Sequence, residues 1–66
     1  MLTRWGIAAA EKGISEEEIA RRCGWTERHT RALMNGTKEI FADEIIQLVD
    51  ALELKTQEEI NAIFFW

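Results

Sequence analysis

The sequence predicts a compact all-α fold of five helices, on three observations. Helix-start signatures recur: Ser15 with Glu18, a plausible N-cap at Thr26, and Thr56 with Glu59. Apolar residues return at helical spacing rather than alternating. Gly13, Gly24 and Gly36 fall just after the periodic stretches, where helices end. With 66 residues there is room for one domain and a core near the lower limit for unaided folding. There is no proline, and no internal repeat, low-complexity tract or linker.

The first helix is expected over Leu2 to Lys12, with Leu2, Trp5 and Ala9 on one face and Gly13 ending it. Gly6 in its middle costs roughly 1 kcal/mol relative to alanine unless something packs against it. The second helix runs Glu16 to Cys23, carrying Ile19, Ala20 and Cys23 inward. Gly24 permits a tight turn, and Thr26 opens a third helix, Glu27 to Asn35, which Asn35-Gly36 closes. So short a break makes the pair cross steeply, and Ala20 lets the helices approach. Phe41 to Leu52 is amphipathic, with Phe41, Ile45, Leu48, Val49 and Leu52 in one stripe and Asp43 and Glu44 in the first turn. The last helix, opened by Thr56, carries Ile60, Ile63 and Phe64. The expected core includes Ile19, Ala20, Leu33, Ile45, Leu48 and Leu52.

The net charge of −4 argues against a nucleic-acid partner, but the distribution is uneven. Residues 21–38 hold Arg21, Arg22, Arg28, Arg31 and Lys38 against Glu27, a local +4, whereas residues 39–66 hold Lys55 against seven carboxylates, a local −6. An electrostatic footprint is local, so the basic block over the second and third helices carries more weight than the total.

Catalytic chemistry is not expected. His29 is the single histidine and Cys23 the single cysteine, so neither a disulfide within the chain nor a multi-cysteine zinc site can form. No nucleophile–base pair or phosphate-cradling glycine loop is apparent. Glu16, Glu17 and Glu18 suit a helix start better than acid–base work. No cofactor, metal or small-molecule ligand is expected. Apolar runs stay short of the roughly 18 residues of a membrane span, and no leader-like segment appears, so a reduced cytoplasm is the expected location.

Glu16, Ala20, Gly24, Thr30 and Leu33 fall where the helix-turn-helix pattern has its polar start, small residue, turn glycine and two apolar positions. Together with Gly13-Ile14-Ser15, Asn35-Gly36 and Ala51-Leu52, they make residues 5–60 resemble the lambda-repressor/Cro-like family of phage and bacterial regulators. The resemblance implies a five-helix lambda-repressor-like domain, a transcriptional regulator that inserts helix 27–35 into the major groove of double-stranded DNA. It further implies that Glu27, Arg28, Arg31 and Ala32 meet base edges. An arginine can donate twice to guanine, a carboxylate can accept from cytosine, and Ala32 offers a methyl contact. Thr26, Asn35 and Lys38 flank the helix and suit phosphate.

Three positions depart from the family pattern. Glu16 stands where glutamine usually meets a phosphate, and Thr30 replaces an inward aliphatic residue, so its hydroxyl needs a backbone partner. Ala9 and Met34 replace a buried arginine–glutamate pair; loss of both charges together can be neutral or stabilising. The final stretch, with Ile60, Phe64, Phe65 and Trp66, is more apolar than so small a core can enclose, and the family dimerises near this end, so a homodimer interface is expected there. A protein-interaction module on the same scaffold, docking through its acidic ends, Glu16 and the apolar tail, is the competing reading.

Overall fold

Five helices succeed one another in the computed structural model, which describes residues 2–65: α1 (Arg4–Glu11), α2 (Glu16–Cys23), α3 (Glu27–Met34), α4 (Ala42–Ala51) and α5 (Gln57–Ile60). A π-helical turn, Asn61–Phe65, continues α5, and no strand occurs among the described residues. Four helices begin on a hydroxyl. Thr3, Ser15, Thr26 and Thr56 accept the amides of Gly6, Glu18, His29 and Glu59, at 3.2, 3.1, 3.1 and 3.2 Å. Each bond satisfies an amide that the first turn cannot pair internally.

Local chemistry moves some expected boundaries. Because Thr3 caps α1, the helix starts at Arg4 and Leu2 lies outside it, exposed. Phe41 is the residue before α4 rather than part of its stripe, and is 61% exposed. There the Glu44 carboxylate reaches back to accept the Phe41 amide at 3.0 Å. The Ser15–Glu18 capping box forms only in one direction, since the Glu18 carboxylate accepts from Arg21 and Arg22 instead.

Gly24 closes α2 in the left-handed region at φ 72°, a conformation that costs glycine little. Glu53, beyond α4, takes a similar conformation at φ 57° with a full side chain. Gly6 is a packing glycine: a Cβ there would lie 2.9 Å from Met34 Cγ and 3.2 Å from Thr3 Oγ1. The mid-helix weakness is thus offset by close approach to the end of α3, where the Thr3 amide also donates to the Met34 carbonyl at 2.9 Å.

The core holds Trp5 and Ala9 from α1, Ile19 and Cys23 from α2, Leu33 and Met34 from α3, and Leu48, Ala51, Leu52 and Leu54 from α4 and beyond. Ala20 is buried as expected. Ala9 and Met34 share this cluster. Ile45 does not join it: the residue is half-buried, on the side of α4 that no other helix fully covers.

Candidate nucleic-acid interface

α3 buries Thr30, Leu33 and Met34 and turns Glu27, Arg28 and Arg31 to solvent. The spacing explains the division. Positions 30, 33 and 34 stack on one side at i, i+3 and i+4, while 28 and 31 turn away and 27 is exposed at the helix's open first turn. Thr30 is fully enclosed, and its hydroxyl donates to the Thr26 carbonyl at 2.9 Å, the backbone partner its burial demands.

The seven residues expected to touch or flank DNA are not equivalent. Arg28 is exposed and makes no hydrogen bond or ion pair among the described residues, and the same holds for Glu27. Arg31 donates its Nε to Glu16 Oε1 at 3.0 Å, tying the exposed face of α3 to the start of α2. Ala32 is half-buried, and its carbonyl accepts the amides of Thr37 and Lys38 at 3.0 and 3.2 Å, so the following loop folds back towards it. That geometry leaves Ala32 less reach than its neighbours. Thr26 is exposed and already occupied in capping α3. Asn35 is exposed at the C-cap.

Lys38 belongs to a cluster that the sequence does not reveal. Its Nζ lies 3.0 Å from His29 Nδ1, and His29 Nε2 lies 2.6 Å from Glu44 Oε2. An ammonium facing Nδ1 requires that nitrogen to accept, which leaves the Nε2 proton for the Glu44 carboxylate. Trp25 packs its ring edge-on against His29, centroids 5.2 Å apart, and donates its indole N–H to Gln47 at 3.1 Å. Glu44 is held below the usual carboxylate range, first by the Phe41 amide and then by His29 and Lys38. His29 therefore joins the loop after α3 to α4.

Carboxylates from outside residues 21–38 compensate much of the basic block. Glu18 pairs with both Arg21 and Arg22, and these guanidinium groups pull its carboxyl from 4.5 to about 2. Arg22 also donates to the Ala51 carbonyl at 2.7 Å, at the end of α4, with Glu53 at 3.4 Å. With Arg31 on Glu16, Arg28 is the cation of the block that remains uncommitted.

At the far end, Ile60, Ile63 and Phe64 are half-buried against the core, so two of the four expected interface residues fold back. Phe65 stays 60% exposed, and Trp66 lies outside the described residues. Among the described residues, no helix is long and apolar enough to cross a membrane. Comparison with family models, curated proteins and solved structures returned no match.

Proposed function

We propose that this chain is a sequence-reading DNA-binding module of the lambda-repressor-like, helix-turn-helix kind, acting as a transcriptional regulator in a reduced cytoplasm. The observation that carries the reading is the outward face of α3, where Arg28 and Arg31 stand one turn apart behind a capped N-terminus. Guanidinium groups at that spacing suit guanine edges in the major groove, and Glu27 beside them suits cytosine. Asn35 and Lys38 would meet the backbone and fix register. The domain measures 29 × 22 × 19 Å, too short to read two successive grooves about 34 Å apart, so a palindromic operator would require a homodimer.

A specific observation favours a second reading, an interaction module that docks protein instead. The carboxylates of Glu16 and Glu18 engage Arg21, Arg22 and Arg31, three of the five cations of the basic block. Exposed pairs of this kind are weak, typically about 0–1 kcal/mol, so phosphate can displace them, which keeps DNA as the leading partner.

Selection from a random duplex pool followed by a salt titration separates the two. DNA recognition gives an enriched sequence and a steep loss of affinity with salt as counterions are released. Absence of any enriched sequence at low salt would transfer the function to the protein-interaction reading.

A further inference from the structure

Three of the large apolar side chains that the fold leaves exposed, Phe41, Ile46 and Phe65, lie on or beside α4 and the chain's last turn. Between these elements runs a hollow of about 370 Å³, walled by Ala42, Ile45, Ile46, Val49, Ile60 and Phe65. Its four α4 residues recur at i, i+3, i+4 and i+7, one continuous helical face. A second hollow shares Ile46 and Val49 and continues past Asp50 and Glu53 to Lys55. None of these residues belongs to α2 or α3, so the surface is separate from the one proposed to meet DNA.

Charge decides what fits. Asp43 and Asp50 flank Ile46 at three and four residues' distance, two helical turns apart along one edge of the groove. Glu53 continues past that edge but is paired with Arg22 at 3.4 Å, and Lys55 stands at the end of the hollow. The wider segment, residues 39–66, sets one lysine against seven carboxylates. A second copy of this chain meeting the face about a two-fold axis would bring the same net negative segment to it, since such an interface presents one patch to its own image. The complementary occupant has apolar anchors on one face and positive charge beside them.

We propose that the α4–α5 groove is a docking site for a basic amphipathic helix of a partner protein, its aliphatic side chains entering between Ile46 and Phe65 and its lysines or arginines facing Asp43 and Asp50. The mode is helix-in-groove recognition, with anchors at helical spacing supplying affinity and the acidic edge selecting the sign of charge and speeding encounter.

The test uses a fluorescent synthetic lysine–leucine peptide with leucines on one helical face, titrated with the intact chain in the absence of DNA. A scrambled peptide of equal composition and a glutamate–leucine helix serve as controls. The basic helix is expected to bind, and both controls to fail. Ile46→Glu should weaken binding about tenfold or more, as for loss of a central anchor. Because Ile46 is 70% exposed, the substitution spares the fold, which circular dichroism verifies. Replacing Asp43 and Asp50 together by lysine should shift preference to the glutamate–leucine helix. Failure of the basic helix to bind, equal binding of the scrambled peptide, or indifference to Ile46→Glu would each overturn the proposal. So would sedimentation of the chain as a dimer that Ile46→Glu dissociates, which would make a second copy the occupant.

Discussion

Arg31 on the exposed face of α3 is held by Glu16 at the first turn of α2, guanidinium to carboxylate at 3.0 Å. The contact makes a candidate base-reading side chain depend on a residue of the preceding helix. For Glu16→Gln, DNA affinity should rise by a factor of roughly three to ten, since it frees Arg31 and removes a negative charge beside the phosphates, about 1 kcal/mol in all. Stability should change by less than about 1 kcal/mol, as for other exposed pairs. Anisotropy titrations against a selected duplex and a denaturant melt check both halves, and weaker binding by the variant would show that Glu16 positions Arg31 productively.

Arg28 and Lys38 should fail differently. Arg28→Ala should cost about 1–3 kcal/mol and relax preference at one base position, the signature of a lost bidentate contact. Lys38→Ala should weaken all sequences alike and lower the salt slope by about one. Binding measured over a series of salt concentrations on matched and mismatched duplexes distinguishes them. Identical losses from both substitutions would point to misfolding or to a role for neither.

Acid should weaken the domain modestly through its carboxylates. Glu18 and Glu44 are both depressed below the ordinary value of 4.5, Glu18 to about 2. A depressed carboxylate stabilises fully above its unfolded value and loses that contribution as pH falls through the folded one. Stability should therefore be flat down to about pH 4.5 and decline between there and about pH 2, where Glu18 gains its proton. Urea melts across that range on wild type, Glu18→Gln and Glu44→Gln should show both variants with shallower declines.

Packing gives the sharpest stability test. Gly6→Ala gains about 1 kcal/mol of helix propensity, but its methyl collides with Met34 Cγ, and overpacking typically costs about 1–3 kcal/mol. The single substitution should destabilise. In a Met34→Ala background the same change should become neutral or favourable, and thermal melts of the four proteins form the cycle.

Ala9 is 1% exposed, so Ala9→Arg would place an unpaired guanidinium in the core. A loss of about 3–5 kcal/mol is expected, enough to unfold so small a domain. An unchanged melting temperature would mean the side chain finds a path to water past Met34.

The parts of the fold legible in the sequence are those fixed by short-range chemistry. Ser15, Thr26 and Gly24 delimit α2 and α3 because capping and left-handed turns act within a few residues. Ile19, Ala20, Leu33, Leu48 and Leu52 are buried because their spacing puts each on an inward face. Phe41 and Ile45 misled for the converse reason: a helical stripe says which side is apolar, not how much of it a 66-residue chain can cover. Thr3 escaped notice because Leu2 continues the apolar pattern across it. At the candidate site, exposure of Arg28 and Arg31 was legible, whereas Glu16 on Arg31 and Glu44 on His29 span fifteen residues each, and only tertiary structure brings them together.

Arg22 ties positions that lie far apart in the chain. One guanidinium serves the Glu18 carboxylate, the Ala51 carbonyl and, at longer range, Glu53, whose left-handed backbone turns its side chain towards it. A lysine ammonium lacks the planar fork that reaches all three, so exchange of one base for the other is not conservative here. Over evolutionary time residues 18, 22 and 53 should drift as a linked set, and glycine should enter at 53 most readily where 22 has already lost its guanidinium.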